Sequence, residues 1–74
     1  MAELNVEADL AGTVWKLTSA PGDAMAEGDA ILILESMKME IPVESPCAGR
    51  LVALHVAEGE VVREGQLLAT LARD

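Results

Sequence analysis

The 74-residue chain repeats itself. Displaced by 37 residues, its first half falls on its second without a gap, and 11 of the 37 aligned pairs are identical. Composition alone gives about three such matches. Val6/Val43, Gly12/Gly49, Leu17/Leu54, Gly22/Gly59, Gly28/Gly65 and Leu34/Leu71 are among the identities, and the six glycines pair only with one another. Solenoids show periods of this length, but two copies are too few to stack into one. The repeat predicts a single domain over 1–74 built of two similar halves, 1–37 and 38–74. They pack about a pseudo-two-fold axis, each covering the apolar face of the other.

Each half reads as short strands broken by turns. Residues 3–7 and 40–44 predict edge strands, the second carrying Pro42, which lacks the amide proton a central strand needs. Longer apolar-rich strands follow at 12–19 and 49–57. Turn signals come next, at Pro21-Gly22-Asp23 and Glu58-Gly59-Glu60, and again at Glu27-Gly28-Asp29 and Glu64-Gly65-Gln66. Between these turns lie tiny bridges at Ala24-Met25 and Val61-Val62. Near-continuous apolar runs at 30–36 and 67–73 close each half and predict strands buried on both faces. Gly or Pro recurs too often for helices. The expected fold is all-β: a flattened barrel or sandwich of two four-stranded antiparallel sheets.

Composition narrows the function. Thirteen acids against five bases give a formal charge of −8, which argues against nucleic acid or an anionic membrane surface as partner. The longest unbroken apolar run, Ala30 to Leu34, is too short to span a bilayer. The acidic N-terminal segment is unlike a signal peptide. One cysteine cannot make an internal disulfide and fits a reducing compartment, so a cytoplasmic location is expected. With one His, one Cys and no Tyr, the chain lacks a constellation for autonomous catalysis.

The halves meet at Met37-Lys38, the place that corresponds under the repeat to a junction of the two termini. A two-fold arrangement therefore sets a lysine at one end of the molecule and the termini at the other. Plain strand alternation offers a different account, with Met37 and Met39 inward and Lys38 outward. The sequence around the lysine is Glu35-Ser36-Met37-Lys38-Met39-Glu40. Met-Lys-Met with an acid three residues before the lysine, centred in this turn-rich repeat, resembles the biotinyl domain family. These are the biotin carboxyl carriers of carboxylases, decarboxylases and transcarboxylases. The resemblance runs from about Val6 to Leu71 and includes Pro46-x-x-Gly49 and the Gly-acidic turns at Gly22-Asp23 and Gly59-Glu60. No insertion lies between Thr18 and Met25, so the chain looks like the thumbless type. Ser36 and Asp9 depart from the family, which often has Ala and Pro there. The first exchange is expected to be tolerated, the second to loosen its turn.

The resemblance implies that Lys38 is acylated by a biotin protein ligase using biotinyl-adenylate. A lysine amine is protonated at neutral pH, so the ligase must supply the base as well as the activated acyl group. The amide removes one positive charge, taking the formal balance from −8 to −9. Lysine and the biotin valeryl chain together make a swinging arm of about eleven bonds, roughly 14 Å extended. Such an arm carries a carboxyl group between a biotin carboxylase and a carboxyltransferase, and tethering makes the second encounter effectively intramolecular. The carrier itself is a cosubstrate, not an enzyme, and is expected to be monomeric in isolation. Met37 and Met39 are expected to frame the base of the arm, or else to pack in the core. Glu35 is expected to be read by the ligase, or else to be a solvated turn acid.

Other residues invite blander readings. Glu40, whose repeat mate Glu3 lies at the far end, is read as structural. Cys47 pairs with Leu10 and predicts a small buried hydrophobe. His55 has no second metal ligand nearby in sequence, and Lys16 reads as an exposed strand residue. Lipoyl carriers share the expected fold but usually show Asp-Lys-Ala at this point, and an unmodified interaction module is the remaining alternative. The two are separable, since only a carrier needs the Lys38 amine.

Overall fold

Why eight short strands form here is plain from the backbone that joins them. The computed structural model describes residues 2–73 and contains β1 (Glu3–Glu7), β2 (Gly12–Leu17), β3 (Ala24–Met25), β4 (Ala30–Ser36), β5 (Met39–Glu44), β6 (Gly49–Leu54), β7 (Val61–Val62) and β8 (Leu67–Arg73). One sheet has the order β1-β8-β6-β3 and the other β5-β4-β2-β7, with every pairing antiparallel. A shift of 37 residues, forward for β1 and β3 and back for β6 and β8, carries the first sheet onto the second. The predicted fold class is therefore the observed one.

The symmetry extends to single hydrogen bonds. Gly22 N–H donates to the Leu51 carbonyl at 2.8 Å, and its counterpart Gly59 N–H donates to the Val14 carbonyl at 2.7 Å. Asp23 N–H closes a turn onto the Ala20 carbonyl at 3.1 Å while its carboxylate accepts the Ala20 amide at 2.9 Å. Glu60 repeats both bonds on Ala57. In the first of these turns Pro21 precedes Gly22 at φ 98°, the arrangement a type II turn favours. Gly12 and Gly49 serve a different purpose. A Cβ on Gly12 would lie 2.7 Å from the Glu35 carbonyl oxygen, and one on Gly49 would run into the Ala72 carbonyl. Both mark places where a neighbouring backbone approaches too closely for a side chain.

The core lies between the sheets and is aliphatic. Ile31, Leu32 and Leu34 of β4 meet Leu68, Ala69 and Leu71 of β8, joined by Val14, Leu51 and Val62 and, at the margins, by Val6, Ala8, Met25 and Val56. Trp15 stays outside, since β2 bulges between Val14 and Lys16 and turns its ring to solvent. The mate strand β6 bulges at the mate position, Val52. Among the described residues, no buried side-chain nitrogen or oxygen lacks a partner.

Some expectations need correction. The strands expected over 12–19 and 49–57 end at Leu17 and Leu54. Past these ends one amide on each side still reaches the neighbouring strand, Thr18 N–H donating to the Ile31 carbonyl at 3.3 Å and His55 N–H to the Leu68 carbonyl at 2.9 Å. After β2 the Thr18 and Ser19 hydroxyls also donate to the Ala30 and Ile31 carbonyls, at 2.9 Å each. β5 begins at Met39, one residue earlier than expected. Cys47 is half-buried and packs against the core rather than within it.

Candidate functional site

Strands β4 and β5 form a hairpin. Its last pair is Ser36 with Met39, preceded by Glu35 with Glu40, which leaves Met37 and Lys38 as a two-residue loop. A loop this tight follows the twist of its strands in a type I′ turn, where both residues take positive φ, or a type II′ turn, where the first does. Here both do: Met37 has φ 53° and Lys38 has φ 66°. These are the only non-glycine positive φ values among the described residues. Asn and Gly are the usual occupants, and an L-residue in the left-handed region is disfavoured by roughly 1–2 kcal/mol. The turn thus holds Lys38 in a backbone conformation its side chain does not favour.

Chain connections place this turn. Four residues link the Glu7 end of β1 to Gly12, which pairs beside the hairpin tip, and four link Met25 to Ala30 at the far end of β4. Such short links put the tip of one sheet opposite the end of the other where Ala2 and Arg73 bond, Arg73 N–H donating to the Ala2 carbonyl at 2.9 Å. The long axis measures 36 Å, about twice either of the other two. Lys38 therefore stands at one end and the described termini at the other, as the repeat predicts.

The sequence-predicted site residues come together on this hairpin. Lys38 and Glu35 are exposed, Met37 is 92% exposed and Met39 63%. Alternation that would bury both methionines fails because the turn takes residues 37–38 and Met39 pairs beyond the end of the core. Glu40, read as structural from its repeat mate Glu3, stands directly opposite Glu35, and like charges at such positions destabilise a sheet. The mate pair in the other sheet is Ala72 with Glu3, so the frame itself carries an acid at 40 and only Glu35 is peculiar to the hairpin.

The remaining candidates lie elsewhere and have structural uses. His55 Nε2–H donates to Thr70 Oγ1 at 2.8 Å, and that hydroxyl donates to Asn5 Oδ1 at 3.3 Å. This relay caps the outer face of β8. Lys16 is exposed, its Nζ 5.9 Å from the Trp15 ring centroid. A groove between the edge strands β1 and β5, floored by Val6, Leu34, Ile41 and Val43, lies along the side of the sandwich rather than at the lysine. Among the described residues there is no cluster of His, Cys, Asp and Glu suited to a metal ion.

An elongated two-fold sandwich that strains a two-residue turn to present one lysine has the architecture of an attachment domain. Comparison with known proteins agrees. The biotin/lipoyl family, described as "Biotin-requiring enzyme", matches residues 2–71. A biotinylated protein TB7.3 homolog of Mycobacterium leprae is 39% identical over 72 residues, covering 97% of this chain and all of that one. A single-chain, multi-domain long-chain acyl-CoA carboxylase superposes with a TM-score of 0.92 at 35% identity, covering 97% of this chain and 7% of that one. The lipoyl domain of the Azotobacter vinelandii 2-oxoglutarate dehydrogenase complex superposes less closely, with a TM-score of 0.79 at 25% identity, covering 95% of this chain and 96% of that domain. The chain belongs to the biotin/lipoyl attachment family. Within it the chain is a biotinyl attachment domain, a carrier of covalently bound biotin.

Proposed function

We propose that Lys38 is the biotin attachment residue and that the chain, one carrier domain over 1–74, is a non-catalytic shuttle. Its partners on this reading are a biotin protein ligase, which loads it, and the biotin carboxylase and carboxyltransferase of a carboxylase system. The observation that carries the assignment is the turn, which keeps one exposed lysine at positive φ at the far end from the described termini. Backbone strain of this kind persists where function uses it.

The site fits a covalent adduct. Lys38 is exposed, and the methionines on either side present adaptable apolar surface at the root of its side chain. In loading, the Lys38 ε-nitrogen gives up a proton to a base of the ligase and bonds to the activated acyl carbon, and adenylate leaves. Attached biotin supplies the ring nitrogen that accepts a carboxyl group in one active site and yields it in another. Everything the chain itself contributes is position: a rigid frame, a fixed exit direction for the lysine, and an apolar collar. Among the described residues no helix is long and apolar enough to cross a membrane, and a monomer working in the cytoplasm accords with this reading.

Intact mass after co-expression with a biotin protein ligase tests it. The expected product is a single biotin adduct that binds streptavidin. Lys38→Arg abolishes the adduct and Lys16→Arg retains it. A lipoyl adduct without streptavidin binding, or biotin retained by the Lys38→Arg chain, overturns the assignment.

A further inference from the structure

The internal repeat supplies its own control for which surfaces the frame requires. Each sheet turns one face outward, and the two outer faces are built on the same backbone. Register sets Val61, Thr13, Glu35 and Glu40 in one transverse row across the sheet that carries the hairpin, next to the turn. The equivalent row of the other sheet is Ala24, Arg50, Ala72 and Glu3. Formal charge along the first row is −2, from Glu35 and Glu40; along the second Arg50 and Glu3 cancel. One step further from the tip, the bulge carries Trp15 in one sheet and Val52 in the other. Beside it Ile33 and Pro42 face Thr70 and Asn5 as counterparts, and the latter two are tied into the His55 relay.

At four paired positions the hairpin sheet thus has the larger or more apolar side chain. Trp15 is 46% exposed and Val61 72% exposed, and neither packs in the core. A frame that folds with Ala24 and Val52 at the mate positions does not require them. Single exposed apolar residues such as Val52, 43% exposed on the other face, are unremarkable, but a patch that is larger on one of two equivalent faces and continuous with the modification site has a partner as its explanation.

We infer that the outer face of the hairpin sheet is the docking surface for the enzyme that acylates Lys38, with Trp15 and Val61 as apolar anchors and Glu35 and Glu40 as an acidic rim. This rests on Lys38 being the attachment residue. That enzyme must close on the tip, and a specific interface covers roughly 800 Å² of each partner. Trp15 lies about three residues of strand rise, roughly 10 Å, from the turn, inside such a footprint. Only this face is continuous with the hairpin. The complementary surface is an apolar pocket edged with Lys or Arg, which the paired acids attract and orient. Glu35 and Glu40 facing each other, unfavourable in the free chain, then have a counter-charge in the complex.

The full chain tests this in two ways. Steady-state biotinylation with ligase, biotin and ATP is expected to show kcat/KM lowered about tenfold by Trp15→Ala and by Val61→Glu, mainly through KM, while the mate substitution Val52→Ala stays within about twofold. Far-UV circular dichroism of each variant confirms that it folds. With 5-fluorotryptophan at position 15, the single ¹⁹F resonance is expected to shift or broaden when the ligase is added. Wild-type kcat/KM in both folded variants with an unmoved resonance overturns the inference, as does a resonance that moves with chain concentration alone, which marks self-association on that face. Failure of the ligase to biotinylate the unaltered chain is a separate result and overturns the assignment of Lys38 instead.

Discussion

Replacing Met37-Lys38 with Asn-Gly should stabilise the chain while removing its function. The turn holds two L-residues at φ 53° and 66°, each disfavoured by roughly 1–2 kcal/mol relative to a residue at ease in the left-handed region. Asn tolerates that region well and Gly enters it without steric cost. Against the relief, Gly brings extra freedom to the unfolded chain, an opposing effect of roughly 0.5–1 kcal/mol. Asn keeps part of the left-handed cost that Gly sheds, so the net gain is about 1–2 kcal/mol. For a chain of this size each kcal/mol moves the midpoint by roughly 4–8 °C, so the double variant should melt roughly 5–15 °C higher by calorimetry or circular dichroism. Met37→Ala serves as control, because it keeps a β-carbon and hence the strain. Cross-strand contacts between Ser36 and Met39, read by NMR, verify that the hairpin keeps its register. A double variant that keeps the register and melts at or below the unaltered chain refutes the idea that the turn is strained.

Other predictions use the two-fold repeat. Gly12→Ala and Gly49→Ala should each destabilise by about 1–3 kcal/mol in denaturant titrations, because each drives a β-carbon into a neighbouring carbonyl. Leu34→Ala and Leu71→Ala, both at the centre of the core and repeat mates, should each lose about 3–5 kcal/mol. Equal losses within the pair are expected, and a large disparity would show that one half carries the core. Glu40→Gln should raise the melting temperature slightly at low salt, with the gain fading as salt is added, since it relieves a like-charge pair across the hairpin.

Most of the frame is legible in the sequence because its turns are chemically marked. Gly22, Gly28, Gly59 and Gly65 all take positive φ in the positions the repeat assigns them, and strands begin and end around them. The Met37-Lys38 turn carries no Gly or Asn to announce it and is placed instead by the repeat, whose halves meet there; strand alternation alone would bury Met37 and Met39. What escapes prediction lacks any such mark, as the bulges at Trp15 and Val52 do. Val14-Trp15-Lys16 reads as an apolar run ending in a charge, and only the pairing register reveals that Trp15 is the extra residue. β2 and β6 end at mate positions, just before an amide that still reaches the neighbouring strand of the same sheet (Thr18 to Ile31, His55 to Leu68), a limit no local pattern records.

Duplication separates what the fold needs from what function adds. A feature that appears in both halves, such as the close-approach glycines or the turn carboxylates of Asp23 and Glu60, is accounted for by the frame. A feature that appears once has to be explained otherwise. Glu35 faces the place of Ala72, Trp15 that of Val52 and Val61 that of Ala24, and all three differences fall on the face beside Lys38. Differences between the halves occur along the whole chain; these three stand apart because they adjoin one another and the turn, and contact with a partner is the use such a contiguous patch has. The same reasoning explains why so small a chain tolerates strain at its tip. A frame stabilised twice over by equivalent contacts can hold one turn in a conformation that no local interaction favours.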